Sequence, residues 1–253
     1  MQQTLALGQK VATPNTAAGR RRERLFYTGM SVTFLLIVFL GFARSYFLKP
    51  YFGTPPVLTP LLHLHGLLFS SWIALLLAQT TLVATKRTRV HKRLGWAGAV
   101  LALLMVLVGT TTGIVRAKGF DVPPGTSSPL VFLTIPLGDM LVFALLVGAA
   151  LYYRRRLDTH KRLMLLATIT LIPAAVARIP LDFFIYGSLW VSFGIPDLFI
   201  LVILAYDLLT RRRPHPATLL GGLLLVVSHV LRLPVGNTQA WLSFATWLTS
   251  WVS

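Results

Sequence analysis

The sequence predicts an all-α fold: a polytopic membrane bundle of seven transmembrane helices followed by a short C-terminal interfacial helix. Composition is the first observation behind this prediction, because 55% of the 253 residues are hydrophobic and only 12% are charged, whereas soluble domains carry about 25% charged residues. The pattern of charge is the second. Charged residues occur in clumps, and the apolar stretches between them reach the roughly 20 residues that a helix needs to cross the hydrocarbon.

Seven stretches satisfy this length requirement. The predicted spans are 26–48, 61–84, 94–116, 130–153, 162–185, 195–210 and 217–233. The sixth is short and could begin nearer Leu189. Helices are expected because backbone polar groups find no water in the hydrocarbon, and runs such as VLALLMVLVG lack the alternation of a membrane β-strand.

The chain divides into three predicted parts. Residues 1–24 are expected to be a disordered cytoplasmic tail, since they are polar, rich in small residues and lack the apolar core of a cleaved signal peptide. Residues 25–236 form the transmembrane bundle. Residues 237–253 are predicted to be an amphipathic helix in the outer interface, because indole rings combine an apolar body with a polar N–H. The tryptophans concerned are Trp241, Trp247 and Trp251.

Basic residues predict the orientation. Of the 24 Lys and Arg residues, 18 lie in four segments that seven spans put on one side of the membrane. These segments are 10–24, 85–93, 154–162 and 211–213. Short basic loops stay in the cytoplasm, so we expect a multi-pass protein of the bacterial plasma (inner) membrane with its N-terminus in the cytoplasm and its C-terminus outside. One span more or fewer would spoil this agreement.

The net charge of +17 is therefore assigned to a lipid partner. Nucleic-acid-binding proteins place basic residues on one exposed polar face, whereas here they flank apolar spans. The expected partner is the bilayer with its anionic headgroups, and nucleic acid is excluded. The chain has no cysteine, which excludes disulfides, thiolate metal sites and a cysteine nucleophile.

The three cytoplasmic loops resemble one another. They read TKRTRVHKRLG, RRRLDTHKRLM and TRRRPHPATL, and each puts a histidine between a basic run and the next span: His91, His160 and His215. An ancient helical-hairpin repeat is one interpretation. The alternative is a shared interfacial rule, in which Lys and Arg reach the phosphates and His tolerates the boundary. These histidines are weaker candidates for binding a headgroup or an inner cofactor.

Ionisable residues inside the spans mark the candidate site. Such residues are costly in hydrocarbon and usually face a bundle interior or a cavity. Five are expected to form a cluster in the outer leaflet, within roughly 15 Å of the boundary at ~1.5 Å per residue: His65, Asp139, Arg178, His229 and Arg232. Asp139 is expected to pair with Arg178, and Arg178 with Asp182. The alternative is a set of salt bridges that only hold the bundle together.

On the cytoplasmic side, Asp207 closes the sixth span before the sequence RRRPHP. We expect it to pair with Arg211 or Arg212, which follow it by four and five residues. This pair is predicted to be structural rather than functional.

A b-type haem is the chemistry that this cluster suggests first. A bundle haem needs two axial histidines at matching depth on facing helices, and His65 with His229 meet the depth requirement. Asp139, Arg178 and Arg232 would support the cofactor, the arginines by binding its propionates. The sequence lacks a zincin motif, a P-loop and a nucleophile elbow, and no span contains the lysine of a retinal Schiff base.

The segments LHLHGLLFSSWIALLLAQ, VHKRLGWAG, PLGD, DTHKRLMLL and AVARIP resemble a group of uncharacterised bacterial inner-membrane proteins of about this length. This resemblance covers nearly the whole chain and implies seven spans but no activity. The H…H-K-R-L-G arrangement is also loosely similar to haem A synthase and membrane b-type cytochromes. Here no acid precedes His65 or His91 at the spacing of haem A synthase, so its catalytic role does not carry over.

Three functions are therefore open. The first is a membrane redox or cofactor-binding protein, with His65 and His229 as haem ligands. The second is a small-molecule transporter or sensor that uses the same outer cluster. The third is a non-catalytic membrane subunit or assembly factor, in which the charged pairs are structural. Whether the protein is an enzyme is left open by the sequence.

Overall fold

The computed structural model describes residues 16–54, 58–118, 128–185 and 189–251, and within them the chain is all-α with no β-strand. The helices are α1 Ala17–Phe42, continued by a π-helical turn at Ala43–Phe47, α2 Lys49–Phe52, α3 Pro60–Ala84, α4 Thr88–Arg116, α5 Pro129–Phe132, α6 Thr134–Tyr152, α7 Leu157–Ile169, α8 Ile172–Val176, α9 Asp182–Ile185, α10 Leu189–Arg211, α11 Pro216–Gly236 and α12 Gln239–Ser250.

Six helical stretches in the described residues are long and apolar enough to cross a membrane. They coincide with the first four predicted spans and with the last two, and the sixth begins near Leu189, the earlier of its two expected starts. The chain therefore has the helices of a multi-pass membrane protein. The fifth predicted span, 162–185, is not one continuous helix.

The fifth segment is divided into α7, α8 and α9. Helix α7 ends at Ile169, and Pro173 follows four residues later, where it has no N–H to donate to the Ile169 carbonyl. Helix α8 ends at Val176 and is followed by a turn that contains Pro180. The sequence predicts one continuous helix over 162–185, but these two prolines interrupt it.

This divided segment is the most enclosed part of the bundle. Leu166, Ile169, Ile172 and Ala175 are completely buried, and α7 and α8 pack against α1, α6, α10 and α11. An interrupted helix is tolerated at membrane depth when protein rather than lipid surrounds it, because its free backbone groups are then away from hydrocarbon.

The six apolar helices, in contrast, expose large apolar side chains on one side. Leu103, Leu201, Leu220 and Leu223 are each 59–70% exposed. Contiguous exposed apolar surface of this kind marks an interaction site in a soluble protein. On helices of this length it is the surface expected to face lipid.

The first helix begins earlier than the sequence analysis predicted. Residues 17–24, assigned to the disordered tail, form the start of α1, whose first N–H groups are capped by Thr16: its Oγ1 accepts a hydrogen bond from Gly19 N at 3.0 Å. Arg and Glu are good helix formers, so the basic run is part of helix α1 instead of a disordered segment before it. Residues 1–15 lie outside the described residues.

The C-terminal segment forms helix α12, with Thr238 as its N-cap. Trp241 Nε1 donates to the carbonyl oxygen of Leu130 at 2.8 Å, which ties α12 to α5. Trp247 and Trp251 are 55% and 74% exposed. A helix is therefore present at 239–250, and its amphipathic role in the membrane interface stays a prediction.

The basic segments meet at one end of the bundle. Lys161 Nζ lies 2.7 Å from Glu23 Oε1, and Arg211 Nη1 lies 3.0 Å from Asp158 Oδ2. The guanidinium of Arg154 lies 5.9 Å from the centre of the Trp96 ring. We call this the inner end, and the opposite end of the bundle the outer end.

Gly41→Ala is expected to lower the melting temperature. A Cβ atom at Gly41 would lie 2.2 Å from the carbonyl oxygen of Ala175, so α1 and α8 would have to move apart, at a cost of about 1–3 kcal/mol. Gly29→Ala on the same helix is the matched control, because nothing lies within 4 Å of its Cβ position. Circular dichroism in detergent measures both, and equal melting temperatures would contradict this packing of α1 on α8.

Candidate functional site

An ion pair joins α6 to α11 near the outer end. Arg232 Nη1 lies 2.8 Å from Asp139 Oδ1, and both side chains are nearly buried. Gly138 precedes Asp139 and makes room for the guanidinium, because a Cβ atom there would lie 3.1 Å from Arg232 Nε. Arg232 also donates from Nη2 to Ser228 Oγ at 3.3 Å, one turn back along α11. The glycine thus allows the cation to approach the backbone of α6.

A second acid–base pair lies beside the first. His229 Nδ1 is 2.9 Å from Asp197 Oδ1 on α10, and the imidazole stacks on the Phe193 ring at 4.6 Å between centroids. The Arg232 guanidinium lies 5.2 Å from the centre of the same ring. Phe193 therefore contacts both His229 and Arg232, which are three residues apart on α11 and share one face.

The inward edge of His229 is buried and has no partner among the described residues. Its Nε2 atom makes no hydrogen bond, and the residue is 4% exposed. The carbonyl of Ser192 in α10 also lacks its usual backbone donor, because Pro196, one turn later, has no N–H. A buried polar atom without a partner costs about 1–3 kcal/mol, so such an atom in a native protein calls for a functional explanation.

The charges of these four residues determine what the network can bind. Asp139 and Arg232 cancel, as do Asp197 and a protonated His229. With a neutral imidazole the network carries one net negative charge in a poorly hydrated site, where charge is costly. The uptake of one proton removes that charge. We call Asp139, Asp197, His229 and Arg232 the outer network.

His65 and Arg178 do not join the outer network. His65 stacks on Phe69 of its own helix, with 4.0 Å between ring centroids. Arg178 Nη1 donates to the carbonyl of Ala174 at 2.6 Å, and its guanidinium lies 5.1 Å from the centre of the Phe42 ring on α1. These contacts place both residues in a separate group near α1 and α3.

The expected partner of Asp139 was wrong. Asp139 pairs with Arg232, and the ion pairs of the described residues include none between Arg178 and Asp139 or Asp182. Helix α11 packs directly on α6, whereas α8, next to Arg178, packs on α1 and α10. The two arginines lie at comparable depth, and this order of packing decides which of them reaches the acid.

The described residues do not fit a haem held between His65 and His229. Helix α3 packs mainly on α1 and α4, and α11 packs on α6, α7 and α10, so these helices do not face each other as axial ligation requires. His229 alone has the arrangement of a ligand, with Nδ1 held by a carboxylate and Nε2 without a partner. No group of three or more His, Cys, Asp or Glu in the described residues could hold a metal ion.

A larger polar network occupies the inner end. Arg162, which is 1% exposed, donates from both Nε and Nη2 to Oδ1 of the completely buried Asp207 on α10. Asp207 Oδ2 accepts from Thr218 Oγ1 at 2.7 Å and from His215 N at 3.1 Å. The expected pairing of Asp207 with Arg211 or Arg212 was wrong, because a residue on α7 satisfies the acid instead.

Asp158 is shared by three cations at the surface of this network. Lys161 Nζ lies 2.5 Å from its carboxylate, Arg211 3.0 Å and Arg162 3.6 Å. Burial raises the pKa of Asp158, but the hydrogen bond from Lys161 and the three positive charges outweigh burial, and the pKa lies below its ordinary value. Asp158 is therefore ionised at neutral pH and links α7 to α10.

The histidines of the three basic loops make local contacts. His160 Nδ1 lies 2.8 Å from the Ala150 carbonyl, and His215 Nδ1 accepts from Ala217 N at 3.1 Å. With the Gln79 amide oriented to satisfy both of its ends, its nitrogen donates to His91 Nδ1 at 2.7 Å. Burial and the charges of Arg162 and Arg211 lower the pKa of His215, which keeps its ring neutral and able to cap α11.

The repeated H-K-R-L sequence begins a helix in both loops, with His91 and His160 as the fourth residues of α4 and α7, but its basic side chains make different contacts. Lys161 and Arg162 are engaged in ion pairs, whereas Lys92 and Arg93 are exposed. This difference favours a shared interfacial rule over a conserved binding role for the two loops.

The predicted cluster of five residues did not include Asp197 or Phe193, and Arg162 was not predicted as the partner of Asp207. A signal was present for Asp197, which follows Pro196 inside an apolar helix, where an acid is costly. Arg162 gave no such signal, because it stands in a basic run that predicts a surface loop.

A double-mutant cycle tests the assignment of Arg232 to Asp139. Asp139→Asn and Arg232→Gln are each expected to destabilise the protein by about 3–5 kcal/mol, since each leaves a buried charge unpaired. The double variant should recover part of that loss. Denaturant unfolding in detergent measures the coupling.

Arg178→Gln serves as the control partner in this cycle. Its effect should add to that of Asp139→Asn, because the two side chains do not touch. Coupling of Asp139 to Arg178 but not to Arg232 would refute the assignment.

Comparison with protein-family models, curated proteins and solved structures finds no match to this chain. The function is therefore inferred from the residues and their contacts.

Proposed function

We propose that the chain is a seven-span protein of the bacterial inner membrane, with a cytoplasmic N-terminus, an external C-terminus and α12 in the outer interface. The seventh span is the divided segment of α7, α8 and α9. The contact of Arg211 with Asp158 supports this topology, because the chain leaves the inner end at 158 and has returned to it by 211. The clustering of basic segments at that end supports the cytoplasmic orientation.

Within this topology we infer that the outer network is the proton-binding site of a small-molecule transporter or sensor. The observation that carries this inference is His229, whose Nδ1 is held by Asp197 while its buried Nε2 has no partner. Ionisable residues inside a membrane mark proton relays and substrate pathways. The imidazole is also the side chain whose charge changes most readily near neutral pH.

The exposed fractions of the side chains indicate from which side a proton would enter the outer network. The Asp197 side chain is 23% exposed and that of His229 is 2% exposed, so a proton from the outer side meets the carboxylate first. An ionised Asp197 accepts a hydrogen bond from Nδ1–H, so Nε2, which has no partner among the described residues, is the nitrogen that can bind a proton. Arg232 Nη1 lies 2.8 Å from Asp139 Oδ1, so the guanidinium balances the carboxylate on the same face of α11 as the histidine. Proton binding at His229 thus neutralises the network.

A b-type haem on His229 is the second candidate. The carboxylate on Nδ1 and the unpartnered Nε2 favour it, since ligating histidines are usually oriented in this way. Arg232 is near enough to His229 to bind a propionate, and the second axial ligand would have to be a residue other than His65. Purified protein with a Soret band that His229→Phe removes and His65→Phe retains would support this candidate over proton binding.

Proton exchange at His229 is measured by nitrogen NMR of histidine-labelled protein. We expect the His229 ring to pass between neutral and charged forms over the pH range in which the protein is folded. Asp197→Asn should weaken proton binding at least about tenfold, because it removes the nearest negative charge. Asp182→Asn is the matched control, since Asp182 is exposed and is four residues from Arg178 rather than beside His229.

A ring that keeps one neutral form throughout that range would contradict the proposal and favour a structural network in a membrane subunit or assembly factor. If His229 does exchange its proton, proteoliposomes carrying a pH-sensitive dye separate the two functions. A transporter acidifies the lumen when a panel of amines, amino acids and organic acids is added outside, and His229→Gln abolishes that signal. A sensor binds a panel member without acidification.

A further inference from the structure

Two arginine-rich segments that are far apart in the sequence converge at the inner end. One is the start of α1, residues 20–24, and the other is the end of α10, residues 211–213. Phe26 stacks on Tyr206 with 4.0 Å between ring centroids and an interplanar angle of 11°, which holds the two helices side by side. The patch therefore gathers the basic termini of two helices that face the same membrane surface.

A small cavity opens between these helices and α7. Its volume is about 20 Å³. Its wall holds four basic side chains, those of Arg22, Lys161, Arg162 and Arg211, and two acidic ones, those of Glu23 and Asp158. A cavity of this size admits one water-sized group, such as a single phosphoryl oxygen. The absence of a side chain at Gly19 leaves the mouth beside the N-terminus of α1 open, where the helix dipole adds to the positive potential.

Charge remains available at this cavity after its ion pairs are counted. Asp158 is shared among three cations, and Arg211 reaches it with Nη1 alone among the described contacts. Arg22, which lines the cavity, forms none of the ion pairs of the described residues. An Arg that lines a cavity and has an unused fork of donors is suited to bind a phosphate.

We propose that this cavity binds the phosphate of an anionic phospholipid headgroup in the inner leaflet. Arg22 and the free nitrogens of Arg211 donate to the phosphoryl oxygens, while Lys161 balances the charges of Glu23 and Asp158 in the wall. Basic pockets between transmembrane helices on the cytoplasmic side bind such headgroups. The cavity lies at the membrane surface, where a lipid phosphate is already concentrated. Inorganic phosphate has the same chemistry and is the competing source.

Native mass spectrometry of the full chain in detergent tests the proposal. The probes are phosphatidylglycerol, phosphatidylcholine and inorganic phosphate. We expect wild-type protein to retain phosphatidylglycerol and not phosphatidylcholine. Arg22→Gln should weaken retention about tenfold, the loss expected for one charge-assisted hydrogen bond. Arg22→Lys should recover part of it.

Arg89→Gln is the matched control, because Arg89 is an exposed arginine in another basic segment and does not line the cavity. It should retain phosphatidylglycerol like the wild type. Equal weakening by Arg22→Gln and Arg89→Gln would overturn the site and leave only nonspecific attraction to the basic surface. Displacement of the lipid by millimolar phosphate would show that free phosphate is the ligand. Circular dichroism of Arg22→Gln confirms that the variant is folded.

Discussion

Hydrocarbon offers no hydrogen bonds, so every polar group that this chain carries into the bundle has to find a partner inside the protein. Buried hydroxyls solve this within their own helix: Thr80 and Thr112 donate to carbonyls four residues back at 3.1 and 2.7 Å. Buried charges solve it between helices, where Arg162 meets Asp207 and Arg232 meets Asp139. The helices therefore cannot rotate or slide independently, because their charged pairs fix which faces meet.

The divided fifth segment occupies the centre of this arrangement. Its apolar residues, from Leu165 to Val176, fill the middle of the bundle, and its first helix supplies Arg162 to the inner network. The outer network lies on α6, α10 and α11, away from the break. The bundle thus has a polar network at each end and an apolar core between them. Of these two networks, as far as the described residues show, the outer one alone contains a buried histidine nitrogen without a partner; His65 Nδ1, which belongs to neither network, is another such nitrogen. That difference supports the proposed proton binding at the outer end, whereas the proposed lipid binding belongs to the inner end.

Hydropathy and loop charge predicted most of the fold, because the length of an apolar stretch and the position of basic residues depend on the membrane alone. The same reasoning identified Asp139, His229 and Arg232 as residues of one site. It did not predict which acidic and basic side chains form ion pairs. Depth follows from counting residues along a helix, but the direction in which a side chain points depends on which helices are neighbours. Asp139 was therefore matched to the wrong arginine, and the fifth span was predicted as one helix although Pro173 and Pro180 divide it.

The proposed positions of the two polar networks, at opposite membrane surfaces, depend on the divided segment crossing the membrane. The chain has no native cysteine, so single substitutions can be labelled from either side in inverted and right-side-out vesicles. Arg155→Cys and Arg212→Cys, which flank the divided segment and α10, should both react with a membrane-impermeant maleimide from the cytoplasmic side, and Asn237→Cys from the outside. Reaction of Arg155→Cys and Arg212→Cys from opposite sides would contradict a membrane crossing by the divided segment.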